Sequence, residues 1–538
     1  MFPIRIDIVV AVVVVLVCRV LYKRSRPSLR NLRGPPAENF IFGNLRQLMS
    51  DDGYNFHAHL AQNYGGVVKL HSLLGAKDLY VFDHTAMESV LIKEEPIFNM
   101  PDALLAANHL IFGPCLVSTS GESMLVCIQH RRARKILNPV FSLTQLKAIA
   151  PIICEIAQQT SDALAANIGP GSEIDMLKVV GSAALEYIGQ GGLGHSFAAH
   201  KSDALRDMKE LLLAAKRLIV PIQALPFLMK VLPAGLRRSL IDYVPLPDLH
   251  LVRDLVDALD NTSRSILSRK KQALKEKDSV LAEQVGQGKD ITTVLMKSVA
   301  SDQAENRMSD EEILGQMNVL LFAGIDTTGT AMSRCLQELT LHPDIQDKLR
   351  SEVTSAIRHG GLDYETLNSL PLLEAVCRET LRMYPPAITS SRQALADTVL
   401  PLSKPIVGID NKEITEVFVP AGTLIHIGIK AANQDRSVWG PDATEWKPER
   451  WLSLPETVIN AKVPGVYPKL MTFIGGPRGC IGFKFAEMAM KTTIAVLVKN
   501  FVFSSSETEI VWKLGVAEAP TVDGKHTLPM IVTPVAID

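Results

Sequence analysis

Hydrophobic and polar positions fall into several distinct rhythms along this 538-residue chain. The first is an uninterrupted apolar run, Ile8–Cys18. Extended through Arg19 to Tyr22, with Met1–Ile6 in front, it reaches the ~20 residues that a membrane-spanning helix needs. Arg19 lies near the end, where a long cationic side chain snorkels toward the headgroups. Lys23, Arg24, Arg26, Arg30 and Arg33 follow, so the positive-inside rule places the body of the chain in the cytosol. A cleaved signal peptide is the competing reading. No small-residue cleavage site follows the run and the basic cluster sits on its wrong side, which favours an anchor over residues 1–22. Gly34-Pro35-Pro36 then closes a basic, proline-containing hinge over residues 23–36.

Beyond the hinge the pattern alternates between strand and helix periods. Residues 66–83, GVVKLHSLLGAKDLYVFD, have the short β-branched runs and central turn of a hairpin. From about 128 to 390 helical spacing dominates, and short strands return over 395–430 and 508–537. The clearest helix starts at Ser309, where Ser309-Asp310-Glu311-Glu312 makes a capping box, and its apolar-rich stretch runs to about Leu341, before Pro343. The pattern predicts a mainly α fold with small β-sheets. No linker divides residues 37–538, which are read as one large catalytic domain.

One glycine motif is a decoy. Gly189-Gln190-Gly191-Gly192-Leu193-Gly194 matches GxGxxG, but a helical pattern precedes it where the dinucleotide fingerprint needs a strand. A helix C-terminus capped by glycine fits better. Asn261-Thr262-Ser263 is a glycosylation sequon that a cytosolic globule leaves unmodified.

Composition narrows the function. Hydrophobic residues make up 47% and charged residues 21%, enough for a sizeable core. Lys and Arg total 56 against 57 acidic residues, a balance that argues against nucleic-acid binding. The seven cysteines are widely spaced with no CxxC pair, so neither a disulfide framework nor a zinc site is expected.

Only Cys480 has a chemically suggestive setting. In FIGGPRGCIGF, Gly475, Gly476 and Gly479 strip the backbone of side chains, permit positive φ and let a planar ligand approach. FKFAEMAMKTTIAVLVKN follows and is helical, so Cys480 is expected at a helix N-terminus, with Arg478 nearby. Both features are expected to lower its thiol pKa and make it a metal ligand. The alternative is a core thiol beside a tight turn.

Phe473-x-x-Gly476-x-Arg478-x-Cys480-x-Gly482 resembles, position for position, the haem-binding signature of the cytochrome P450 family. Three further segments resemble family motifs in the expected order: Ala323-Gly324-Ile325-Asp326-Thr327-Thr328, Glu379-Thr380-Leu381-Arg382 and Pro448-Glu449-Arg450-Trp451. The resemblance covers essentially the whole chain. It implies a long central helix lying over a haem b whose iron takes the Cys480 thiolate as its axial ligand.

The same resemblance assigns roles to single residues. Gly324 thins the long helix at a groove for dioxygen, and Asp326 and Thr327 deliver protons there. Taken without the cysteine motif, these hydroxyls would simply bond back to the i−4 carbonyl. Glu379, Arg382 and Arg450 are expected to form a buried network that braces the cysteine loop. Arg134, Arg392 and Arg478 match partners of the haem propionates, and His130 stands where many relatives carry Trp. Arg131, Arg132, Lys135 and Lys484 remain to face an acidic electron donor.

The implied activity is a membrane-anchored haem-thiolate monooxygenase of the endoplasmic reticulum, with its catalytic domain cytosolic. It draws NADPH electrons through a separate NADPH-cytochrome P450 reductase. The HRR-x-RK-x-LNP-x-F stretch and the DA-x-x-W-x-PERW segment look most like the fungal branch, whose substrates are lipophilic terpenoids, other secondary metabolites and xenobiotics. Substrate choice is expected around the loop Asp102–Thr119, the run Leu211–Leu225, Leu321–Ala323, the turn Ala387–Ser391 and Val516–Val522. Three rivals stand beside this reading: a reductase-independent haem-thiolate isomerase or dehydratase, a non-catalytic haem-binding protein, and a Cys-nucleophile hydrolase without haem. Retention of both Asp326 and Thr327 speaks against the first.

Overall fold

The computed structural model describes residues 29–118, 123–169, 171–198, 201–276, 290–299 and 308–535. The expected anchor, residues 1–22, and the first part of the hinge lie outside the described residues. Among the described residues, no single helix is long and apolar enough to cross a membrane. The chain groups into two compact units. The first comprises Met1–Pro101, Ile388–Ala443 and Thr457–Gly479, and the second Asp102–Ala387, Thr444–Glu456 and Cys480–Asp538.

The first unit is built on a five-stranded sheet. Its members are β1 (Val67–His71), β2 (Lys77–Val81), β3 (Phe98–Asn99), β4 (Thr389–Ala394) and β5 (Leu424–Gly428), in the order β1-β2-β5-β4-β3. The expected hairpin is present, with Val67 opposite Val81 and His71 opposite Lys77. Apolar side chains of β1, β2 and β5 sink into a core with Leu29, Leu60, Met87 and Met471. Antiparallel pairing sets Arg392 opposite Ile425, and β3 sets Asn99 opposite Gln393. Arg392 is therefore placed, with its side chain buried, one position from the strand that carries Asn99.

The glycine loop of this unit is held by backbone contacts. Val466 N–H donates to Ile474 O at 2.8 Å and Gly479 N–H to Gly476 O at 3.0 Å. Gly476 has φ +71°, and a Cβ there would lie 1.9 Å from Leu91 O. No side chain fits at that approach, so the bareness read from the sequence is a packing requirement at this position.

The second unit is mainly helical. Its helices include α1 (Ser123–Leu137), α2 (Met176–Glu186), α3 (Lys201–Arg217), α4 (Asp310–Leu341), α5 (Pro371–Met383) and α6 (Phe483–Asn500). The capping box forms as expected: Glu312 N–H donates to Ser309 Oγ at 3.2 Å, and Ser309 N–H to Glu312 Oε2 at 2.7 Å. With 32 residues, α4 spans roughly nine turns. The GxGxxG stretch is a helix end: α2 continues into a π-helical turn, Tyr187–Leu193, closed by Gly194 at φ +61°. Wider turns of this kind leave room for close packing, and Ile188 lies against Gly324 of α4, 3.0 Å from where a Cβ would stand.

Candidate metal centre

Cys480 lies just ahead of α6, whose N-cap is Gly482. The thiol is reachable by solvent, yet protein surrounds it closely enough that desolvation pushes its pKa up. The Gly482 backbone N–H and the Arg134 guanidinium act in the opposite direction and do not overcome burial. This corrects the expected net lowering. The cation that acts on the sulfur is Arg134 of α1.

On α1, His130 is buried at 3% exposure and Arg134 is partly buried one turn later. Burial pushes the Arg134 guanidinium down, and the Cys480 thiolate pulls it back up. Of the cations expected to face an electron donor, Arg131, Lys135 and Lys484 are exposed. Arg132 instead pairs with Glu312 at 2.9 Å, so its charge is already engaged within the unit.

The other two expected propionate partners belong to the first unit. Arg478 Nη2 donates to Asn99 Oδ1 at 2.7 Å, and its Nε lies 3.6 Å from Glu95 Oε1. Arg392 donates to Ser390 Oγ at 3.1 Å and to Ser391 O at 2.9 Å. Burial and the neighbouring Arg478 push the Arg392 guanidinium down to about 10, with Glu95 opposing. Two buried cations thus share one nearby carboxylate, a setting that favours further anionic groups. Glu95 and Asn99 were not singled out from sequence. They sit in EEPIFN, which carries no motif, and only the contacts with Arg478 in the folded chain reveal them.

On α4, Asp326 retains some accessible surface, but the protein around it desolvates the carboxyl and raises its pKa to about 6. Lys209 of α3 lowers it again, and burial in turn pulls the Lys209 ammonium down. Nothing in the sequence marks Lys209; it depends on the register of two packed helices. Thr327 Oγ1 donates to Ala323 O at 2.7 Å, which is the back-bond of the plainer reading. The hydroxyl keeps its lone pairs for another donor.

The expected bonds among Glu379, Arg382 and Arg450 form. Glu379 accepts bonds from Arg382 Nε and Nη2, Lys447 N, Arg450 Nε and Trp451 Nε1, at 2.8–2.9 Å. Glu379 and Arg382 are both fully buried. Of the expected substrate region, Asp102–Phe112 is a helix, not a loop; its apolar content is compatible with either, and Thr119 lies outside the described residues. Strand Glu518–Val522 is tied to α4 by Thr330 Oγ1, which donates to Glu518 O at 2.9 Å.

A lone thiol suits a metal that brings its own equatorial ligands, and among the described residues no cluster of three or more His, Cys, Asp or Glu forms a site for a bare ion. The Cys480 thiol therefore fits a haem, which needs one cysteine ligand.

The family model for cytochrome P450 matches residues 33–515. Cytochrome P450 monooxygenase 91 of Postia placenta is 43% identical over 96% of this chain and 97% of its own. A ganoderic acid synthetase of Ganoderma lucidum is 38% identical over 94% of this chain and 93% of its own. Another relative, the cytochrome P450 monooxygenase eriI of Hericium erinaceus, is 34% identical over 99% and 98%. With that coverage the chain belongs to the cytochrome P450 family of monooxygenases.

Proposed function

We propose that this enzyme inserts one atom of O₂ into a lipophilic substrate, using NADPH electrons delivered by a separate NADPH-cytochrome P450 reductase. The observation that carries the reading is the accessible Cys480 thiol ahead of α6, with Arg134 acting on it. Cys480 is the proposed metal ligand, and His130, Arg134, Arg392 and Arg478 are proposed to hold the haem propionates. When bound, a haem with a thiolate ligand supplies dioxygen activation by favouring O–O cleavage.

The chain's own residues supply the rest. The Asp326 carboxyl, held near pKa 6, can exchange a proton close to neutral pH. Thr327 Oγ1, anchored to Ala323 O, offers a hydroxyl that passes a proton onward from a fixed position. Glu379 fixes Arg382, Arg450 and Trp451 and keeps their segments rigid. Exposed Arg131, Lys135 and Lys484 supply the positive charge with which an acidic reductase surface would dock. Residues 37–538 act as a single catalytic domain, tethered through the hinge 23–36 to an endoplasmic reticulum anchor over residues 1–22, with the globule cytosolic.

Similarity to a ganoderic acid synthetase supports a secondary metabolite as substrate, within the terpenoid, metabolite and xenobiotic range. The test is reconstitution with reductase and NADPH over a panel of terpenoids, fatty acids and polycyclic aromatics under ¹⁸O₂. One labelled oxygen per product supports monooxygenation. Product without NADPH consumption supports an isomerase or dehydratase instead.

A further inference from the structure

We propose that Glu95 is a positioning residue that sets the charge balance of the propionate-binding arginines, an inference resting on the reading that Arg392 and Arg478 serve a haem. Its carboxylate lies 3.6 Å from Arg478 Nε, and both side chains are almost fully buried, at 7% and 5% exposure. The tighter contact on Arg478 is the 2.7 Å bond to Asn99, so the direction of the guanidinium is fixed mainly by Asn99. Glu95 adds charge rather than aim. Arg392 is also buried and is held only by neutral oxygens of Ser390 and Ser391 in its described bonds.

The consequence differs between the empty and the loaded protein. In the empty chain two buried guanidiniums repel, and Glu95 offsets part of that cost. When two propionates arrive, Glu95 becomes a like charge beside them and weakens their hold. A buried negative charge beside the propionates would also disfavour adding an electron to the haem they belong to. Glu95 therefore trades haem affinity and a higher reduction potential for a stable haem-free fold.

The experiment uses the haem-loaded protein and its isosteric variant Glu95→Gln. The expected result is a more positive midpoint potential together with haem transfer to apomyoglobin slowed at least ~3-fold, because the substitution removes a buried like charge from beside the propionates. Glu95→Asp, which keeps the charge, should return both readouts toward the parent. An unchanged potential in a fully loaded Glu95→Gln would overturn the proposal. Where Glu95→Gln does not load, the variant is combined with Arg392→Gln, which returns the cluster to the parent's net charge; recovered loading supports charge balance, and continued failure overturns it. Arg478→Gln separates the underlying reading: haem retention equal to the parent would sink the propionate assignment itself, whereas rapid haem loss there with no shift in Glu95→Gln sinks only the role of Glu95.

Discussion

Glu379 and Arg450, 71 residues apart in the chain, meet through a 2.8 Å bond from Arg450 Nε to Glu379 Oε1, both groups buried. The same carboxylate takes Arg382, so one anion balances two cations in a dry setting. Removing it leaves both cations uncompensated, which costs about 3–5 kcal/mol. Glu379→Ala is expected to lose that stability in urea unfolding and to retain little haem. An intact unfolding midpoint with full haem content would show that the network is dispensable.

Gly476→Ala should be severe for a different reason. Position 476 has φ +71° and a Cβ there would meet Leu91 O at 1.9 Å. The left-handed conformation alone costs an L-residue about 1–2 kcal/mol, and the overlap adds to it. The variant is expected to yield little soluble haem-loaded protein, whereas Gly482→Ala, with Phe141 no closer than 3.7 Å, should be tolerated. Equal yields of the two would contradict the clamp on the loop.

The Asp326 carboxyl gives a pH signature. Its pKa is about 6 in the folded chain against an ordinary 3.8, so between those values the folded state binds more protons than the unfolded one. Stability from this group therefore falls as the pH rises through that window, and the cost is fully present above it. Relative to the parent, Asp326→Asn should gain stability from about pH 4 to 6 and hold the gain above. Lys209 lowers the carboxyl's pKa, so Lys209→Met should extend the window at its upper edge. Parallel stability curves for Asp326→Asn and the parent would rule out the raised pKa.

Thr327→Ala removes a hydroxyl whose bond goes to Ala323 O within the same helix. The fold should lose no more than about 1 kcal/mol. Haem content is expected to stay at the parent level while NADPH consumption diverts from product to hydrogen peroxide. Unchanged coupling would remove Thr327 from proton delivery and leave the back-bond as its whole role.

Local rules made much of this molecule legible. The Ser309 capping box, the hairpin at 67–81, the glycine cap at Gly194 and the helix after Cys480 each depend on neighbours in sequence, and all form as expected. The Glu379 network was also legible, because its motifs carry enough specified positions to be matched. The residues that sequence left hidden act across elements: Glu95 and Asn99 meet Arg478 from a segment far away in the chain, and Lys209 reaches Asp326 through helix register. The raised pKa of the Cys480 thiol is hidden from sequence for a related reason. The dipole and a cation are visible in sequence, but the surrounding protein that desolvates Cys480 is not.

The central claim is that Cys480 is the axial ligand of a haem. The most direct measurement is the absorption spectrum of the dithionite-reduced, carbon monoxide-treated protein, taken for the parent and for Cys480→Ala. The account predicts a red-shifted Soret band in the parent and its loss in the variant. A red-shifted band that survives in Cys480→Ala would contradict it.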